Sequence, residues 1–132
     1  MRPRLFTLEE ANALLPRLND LLFQIQESKA KHDRLEEQAE EYAEHVSSNG
    51  HVVEKKLNET RQELAQAAAA VNSLIERVNE LGCEVKDMDE GLVDFRTQRD
   101  GRDVYLCWKL GEPEIRWWHE RETGFAGRRP LE

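Results

Sequence analysis

The sequence has little of what several common classes of protein need. It contains only two cysteines, Cys83 and Cys107, in 132 residues. That is too few for the disulfide framework of a small secreted protein, so we expect both thiols to stay reduced in the cytosol. No apolar run approaches the roughly 20 residues of a membrane span, and the N-terminus turns acidic at Glu9-Glu10 before a signal-peptide core can form. These absences predict a soluble, cytoplasmic protein.

Clustered positive charge is also missing. The formal net charge is −8, from 19 Lys and Arg against 27 Asp and Glu, and the Arg128-Arg129 pair lies near the C-terminus, where we expect it to be solvated. Because phosphate binding depends on clustered Lys and Arg, this balance speaks against a nucleic-acid partner. The sequence also has no Ser-His-Asp spacing, no phosphate-binding glycine loop and no His-Glu-x-x-His helix, so it gives no support to enzyme catalysis.

What the sequence does have, before Gly82, is helical periodicity. Thr7 and Glu10 are spaced as a capping box and predict a short helix over 8–14, which Pro16 separates from a long helix; a single kinked helix is the alternative. Apolar residues then recur in alternating steps of three and four over 16–46 and 52–81, the 3.5-residue repeat of a coiled coil. Between them, 47–51 is rich in turn-forming residues.

A second pattern indicates that the two long helices fold back on each other. In an antiparallel hairpin the numbers of facing residues have a constant sum, and the apolar positions obey this from Val46 opposite Val53 to Leu18 opposite Leu81. Each arm is about 30 residues, or about 45 Å, long, and its apolar stripe is narrow. The free part of the hairpin either protrudes or pairs with a second copy. We therefore expect a homodimer through the helical hairpin, in a non-enzymatic interaction module.

After Gly82 the apolar residues alternate, which predicts three or four short antiparallel strands over 83–120 and a tail over 121–132. A two-residue Asp100-Gly101 turn places Asp94 opposite Cys107 and Phe95 opposite Leu106. A four-residue loop over 110–113 then places Leu106 opposite Trp117 and Cys107 opposite Arg116. The expected fold is thus α+β in a single domain: a short helix, a long antiparallel helical hairpin and an antiparallel β-meander.

These registers sort the strand residues onto two faces of the sheet, because successive side chains alternate. The expected core face carries Val93, Phe95, Val104, Leu106, Trp108, Ile115, Trp117 and His119. The second face carries Asp94, Arg96, Tyr105, Cys107, Lys109, Glu114, Arg116, Trp118 and Glu120. The second face is either a solvated surface of cross-strand charge pairs or a shallow polar ligand site. The candidate ligand-binding residues are Asp94, Cys107, Arg116 and Trp118.

Metal binding is the alternative function, with Glu114, His119 and Glu120 as candidate ligands. A divalent ion needs three or four converging donors, whereas in the predicted register His119 points away from both glutamates. A bulge near His119 would bring them to one edge. As a nucleophile, Cys107 would need an adjacent histidine base, but its predicted neighbours are Asp94 and Arg116. No cofactor is predicted beyond this divalent metal.

Several segments together resemble a known family. They are Phe6-Thr-Leu-Glu-Glu-Ala-Asn-Ala-Leu-Leu-Pro16, Gly91-Leu-Val-Asp-Phe95, Gly101-Arg-Asp-Val-Tyr-Leu-Cys-Trp108, Gly111-Glu-Pro-Glu-Ile115, Trp117-Trp-His-Glu120 and Gly124-Phe-Ala-Gly127. Over nearly its whole length the chain resembles the bacterial family called domain of unknown function 2203. The resemblance implies a small cytosolic prokaryotic protein and transfers no catalytic residue.

Overall fold

A computed structural model describes residues 4–131, without the side chains of 47–49. Three α-helices come first: α1 (Leu8–Ala13), α2 (Leu15–Asn49) and α3 (His51–Glu80). Five strands follow: β1 (Glu84–Asp87), β2 (Leu92–Arg99), β3 (Arg102–Lys109), β4 (Trp117–His119) and β5 (Arg129–Pro130), with a short 3₁₀ helix (Phe125–Gly127) before β5. The predicted α+β architecture is confirmed, and the sheet has a fifth strand that the sequence does not predict.

The described chain divides into two compact units. One joins the residues up to Phe23 to those from Ile75 onward, and the other comprises Gln24–Leu74. Among the described residues, no helix has the length and apolar character that crossing a membrane requires. The single domain and the cytoplasmic location stay predictions.

The start of the helical region follows the predicted capping box. The Thr7 hydroxyl accepts a hydrogen bond from the Glu10 amide at 3.1 Å, and the Thr7 amide donates to the Glu10 carboxylate at 2.8 Å. Pro16 is the second residue of α2, where its missing N–H removes no helical hydrogen bond. The predicted break between a short and a long helix is therefore confirmed.

Helices α2 and α3 pack as the predicted hairpin. Within Gln24–Leu74, the buried side chains among the described residues all lie on the predicted repeat in steps of three and four: Ile25, Leu35, Leu57, Thr60, Ala67, Val71 and Leu74. The predicted length of the turn is wrong, because α2 continues to Asn49 and only Gly50, with a φ of +62°, separates the helices. A glycine adopts this left-handed backbone without strain. The homodimer stays a prediction.

The sheet is antiparallel, in the order β1-β2-β3-β4-β5. The predicted register of β2 and β3 is confirmed, with Asp94 opposite Cys107 and Phe95 opposite Leu106. Its cause is the two-residue turn, in which Asp100 and Gly101 have φ values of +53° and +77°. A turn with both central residues in this region matches the twist of the strands and fixes their pairing.

The predicted register of β3 and β4 is wrong by one residue. Leu106 lies opposite Trp118, and Cys107 lies opposite Trp117, whereas the predicted partners were Trp117 and Arg116. Because side chains alternate along a strand, a slip of one residue moves each side chain to the other face. Trp118 therefore joins the core face, and His119 joins the face that carries Asp94 and Cys107.

The cause of the slip is an irregular connection longer than four residues. Glu112 folds the chain back onto the end of β3: its amide donates to the Lys109 carbonyl at 2.9 Å, and its carboxylate accepts from the Lys109 amide at 2.7 Å. The Trp108 indole N–H donates to the Glu112 carbonyl at 3.0 Å. The Ile115 amide donates to the Asn12 side chain at 2.8 Å. Ile115 is thus buried outside any strand, and β4 begins only at Trp117.

The core face of the sheet carries the largest buried side chains of its unit. Trp108 and Phe95 are fully buried, and the Phe6 ring meets Phe95 edge-on, with ring centroids 5.3 Å apart. The other buried members of this face are Val93, Val104, Leu106 and Trp118. The predicted core position of Trp108 is confirmed, whereas Trp117 lies half-buried on the opposite face.

Candidate metal site

Three side chains with metal-ligating atoms converge on the sheet face opposite the core. Asp94, Cys107 and His119 come from β2, β3 and β4, and their ligand atoms all lie within 4.8 Å of one another. All three residues are buried, with relative exposures of 5 %, 0 % and 2 %. Backbone pairing creates the group, since Asp94 is directly opposite Cys107 and His119 is opposite Tyr105.

The His119 ring is held on both of its nitrogens. Nδ1 lies 2.8 Å from the Glu120 carbonyl oxygen, which can only accept, so Nδ1 carries a hydrogen and donates it. Nε2 lies 3.0 Å from the Asp94 Oδ1. The Tyr105 ring stacks on the imidazole, with centroids 5.5 Å apart and planes 23° apart. These contacts fix the tautomer and the orientation of the ring, and they aim Nε2 at Asp94.

The contact between Nε2 and Oδ1 needs one proton. Because Nδ1 already donates to Glu120, Nε2 and Oδ1 would otherwise be two acceptors facing each other. Either an imidazolium donates to a carboxylate, or a protonated Asp94 donates to a neutral imidazole. Burial raises the pKa of Asp94 above its usual value, and the hydrogen bond from His119 opposes that shift. In both states the pair binds one proton that a cation at this position would replace.

The Cys107 thiol is protonated at neutral pH. Burial, together with the charge of Asp94, raises its pKa to about 11, against an opposing effect of Arg128. Both nitrogens of His119 are engaged by Glu120 and Asp94, so neither serves as a base for the sulfur. This geometry does not suit a cysteine nucleophile, which requires a thiolate or an adjacent base.

Slow alkylation of both cysteines is therefore expected in the native, metal-free protein. With a pKa of about 11 for Cys107 and about 12 for Cys83, at most about one thiol in ten thousand is ionised at pH 7, and both side chains are buried. Iodoacetamide labelling followed by intact mass measurement should show little modification in native protein and complete modification in denaturant. Rapid labelling of native Cys107 at neutral pH would contradict this assignment.

A cavity of about 480 Å³ adjoins the three side chains. Its wall comes from the four strands β1 to β4 and from the segment after β4. The lining residues are Glu84, Lys86, Leu92, Asp94, Tyr105, Cys107, His119, Arg121, Gly124 and Phe125. The three ligand atoms are therefore buried against protein on one side and lie beside a space of ligand size on the other.

Arg128 holds the segment after β4 against this face. Its guanidinium lies over the Trp117 ring at 4.7 Å and over the Phe125 ring at 4.5 Å. It also pairs through two nitrogens with the Glu112 carboxylate, at 3.3 and 3.4 Å. A part-buried arginine held between two rings and a carboxylate is a rigid anchor. Its charge acts on the neighbouring Cys107, where it favours the thiolate.

The structure brings together residues from both predicted candidate sets. Asp94 and Cys107 were predicted as ligand-binding residues, and His119 as a metal ligand. The remaining four lie elsewhere. Arg116 pairs with Glu114 at 2.9 Å on the surface, Trp118 is a core residue, and the Glu120 carboxylate binds Arg102 at 3.2 Å.

Sequence reasoning missed the residues around the three ligands. Tyr105 was placed on the face of the possible polar site but not beside His119, and Arg121, Phe125 and Arg128 were assigned to the tail. The sequence gives no local signal for Arg128, because its partners Trp117, Phe125 and Glu112 lie up to 16 residues away along the chain. Alternation of side chains identifies a face, but it does not identify what covers that face.

Comparisons with known proteins identify the family of this chain. The model of a family described as uncharacterised conserved protein (DUF2203) matches residues 4–131. No curated protein matches the chain, and no solved structure does. Since the match covers all of the described residues, including every member of the candidate site, the chain belongs to the DUF2203 family of uncharacterised conserved proteins.

Proposed function

We propose that this protein binds a divalent metal ion such as Zn²⁺ through Asp94, Cys107 and His119. The observation that carries the proposal is the convergence of a carboxylate, a thiol and an imidazole within 4.8 Å in a buried position. These three buried groups carry two protons that a cation can displace, one in the hydrogen bond between His119 and Asp94 and one on the Cys107 thiol. A cation that displaces both protons to solvent binds the thiolate, the carboxylate and the imidazole together.

The donor set selects the class of ion. Mg²⁺ and Ca²⁺ prefer oxygen ligands, whereas a sulfur, a nitrogen and an oxygen together suit Zn²⁺ or Co²⁺. In a tetrahedral zinc site the ligand atoms are about 2.0–2.3 Å from the metal and hence about 3.3–3.8 Å from one another. The present separations are at most 4.8 Å, so no pair of ligand atoms has to approach by more than about 1.5 Å. His119 Nε2 and Asp94 Oδ1, which are 3.0 Å apart, have to separate slightly.

The orientation of His119 also suits a metal ligand. Histidines that bind metals through one nitrogen usually donate the other N–H to a carbonyl or carboxylate, which fixes the ring and makes the ligating nitrogen more basic. Here Nδ1 donates to the Glu120 carbonyl. Three protein ligands leave a fourth position open, as in zinc sites that bind a small molecule or polarise one. The adjoining cavity provides the space for it.

The test uses the two buried cysteines as a matched pair. Metal-free protein is expected to bind one equivalent of Co²⁺, which a thiolate-to-cobalt absorption band reports. It is also expected to bind one equivalent of Zn²⁺, which elemental analysis measures. Cys107→Ala should remove the band and weaken Zn²⁺ binding by at least about 100-fold. Cys83→Ala removes a buried thiol whose Sγ contacts the Val78 carbonyl instead and should leave uptake unchanged. No stoichiometric uptake, or equal effects of the two variants, would refute the proposal.

The interaction module stays a prediction from the long, narrow seam of the hairpin. It does not compete with a metal site, because the predicted interface and the proposed ligands lie in different units of the chain. Sedimentation equilibrium on native protein measures the oligomeric state, and finding a monomer would refute the predicted homodimer.

A further inference from the structure

We propose that the open position of this metal takes a small carboxylate anion, whose charge is matched by Arg121 and whose apolar part lies against Tyr105 and Phe125. The inference rests on the proposed function, because the carboxylate is a ligand of the metal. It adds the chemical class of what the site binds.

Charge in the cavity is the first argument. A divalent ion with one thiolate, one carboxylate and a neutral imidazole gives a neutral group. Of the other charged residues in the lining, Glu84 and Lys86 neutralise each other at 3.1 Å. Within the part of the chain that the structure describes, Arg121 forms no ion pair. The charge of Arg121 contributes to lowering the pKa of Asp103, but Asp103 is itself held by Arg96 and Gln98. The cavity thus has one uncompensated positive charge, which favours a singly charged anion.

The apolar wall is the second argument. Phe125 lies in the lining with a relative exposure of 41 %, which is large for an aromatic side chain. Tyr105 and Leu92 contribute further apolar surface to the same cavity. Anchoring by Arg128 keeps the Phe125 ring in place. An exposed aromatic ring that is held rigidly beside an open coordination position provides contact area for the apolar part of a ligand.

The third argument is geometric. A carboxylate has two oxygen atoms, so one can ligate the metal while the other accepts from a guanidinium. Both the ligand group and Arg121 line the same cavity of about 480 Å³, which is large enough for an anion of benzoate size. This combination favours a compact monocarboxylate.

The experiment titrates Co²⁺-loaded protein with benzoate in a carboxylate-free buffer and follows the visible cobalt spectrum. Benzoate should change the d–d bands with a dissociation constant in the millimolar range, while neutral benzamide, which has the same shape, should leave them unchanged. Arg121→Gln should weaken benzoate binding about fivefold without weakening Co²⁺ binding. Arg116→Gln alters an exposed arginine outside the cavity and should have no effect.

The outcomes separate the two proposals. A normal thiolate-to-cobalt band with no response to benzoate would overturn the anion site and leave the metal site standing. An equal response to benzamide, or an unchanged benzoate affinity in Arg121→Gln, would also overturn it. If Co²⁺ itself does not bind, both proposals fail.

Discussion

Binding of one Zn²⁺ at neutral pH should release about two protons, and the apparent affinity should rise about 100-fold for each unit of pH. One proton comes from the Cys107 thiol, whose pKa is raised to about 11, so that it is fully protonated at neutral pH. The other is the proton between His119 and Asp94, which the hydrogen bonding of the imidazole requires. Protons and metal compete for the same atoms, so affinity falls as the pH falls. The part of this pH dependence of the affinity that comes from the thiol disappears only as the pH approaches about 11.

Chelator competition at pH 6, 7 and 8 measures the slope, and calorimetry in two buffers with different ionisation enthalpies counts the protons directly. Cys107→Ala should reduce the release to about one proton and the slope to about tenfold per pH unit. Cys83→Ala should keep both values, although its thiol has a similarly raised pKa, because that thiol is not a ligand. Release of a single proton by the unaltered protein would contradict a site in which both the thiolate and the His119–Asp94 pair bind the ion.

The parts of the fold that the sequence predicts are those set by local chemistry. The capping box of Thr7 and Glu10, the break at Pro16 and the Asp100-Gly101 turn each involve residues within a few positions of one another. The hairpin is longer, but each helix repeats its own apolar stripe, so the buried seam is encoded many times over. In these places local pattern and tertiary structure agree.

The register of β4 depends on contacts that no local pattern contains. Asn12 binds the Ile115 amide across 103 residues of chain, and it keeps Ile115 out of the strand. Glu112 caps the end of β3 through its own side chain and carbonyl. A turn rich in glycine and proline predicts that the chain reverses, but the number of residues used in the reversal is fixed by these partners. Because side chains alternate along β4, an error of one residue in the loop length assigned each side chain of the strand to the wrong face of the sheet.

That error explains why the candidate site was only partly predicted. All three proposed ligands were identified as candidates, yet His119 was assigned to the opposite face from Asp94 and Cys107. Arg128 could not be placed at all. It reaches Trp117 because β5, a strand of two residues that includes Pro130, pairs with β4. A segment this short has no detectable alternation.

One strand therefore serves both the core and the site. Trp118 and His119 are neighbours in β4, and alternation sends the first into the core and the second to the proposed ligands. The core contact of Trp118 fixes the register that aims His119 at Asp94. Stability of the apolar face and geometry of the polar face are thus coupled through three residues of backbone.

This arrangement predicts a large difference between the two adjacent tryptophans of β4. Trp118→Ala should lower the free energy of unfolding by about 4 kcal/mol, because it removes a large buried side chain from the core face. Trp117→Ala should lower it by only about 1–2 kcal/mol, because that ring is half-buried and contributes mainly through its contact with the Arg128 guanidinium. Urea denaturation of metal-free protein, followed by circular dichroism, measures both.

If Trp118→Ala does not fold, Trp118→Phe serves instead, because it retains an aromatic residue in the core. Its free energy of unfolding should fall by about 2 kcal/mol, whereas that of Trp117→Phe should fall by less than about 1 kcal/mol. The register predicted from a four-residue loop requires the opposite order, since it places Trp117 in the core. A larger loss in the Trp117 variants would thus refute the observed pairing of Leu106 with Trp118, and with it the position of His119 beside Asp94 and Cys107. The same slip that inverts the core would separate the three proposed ligands.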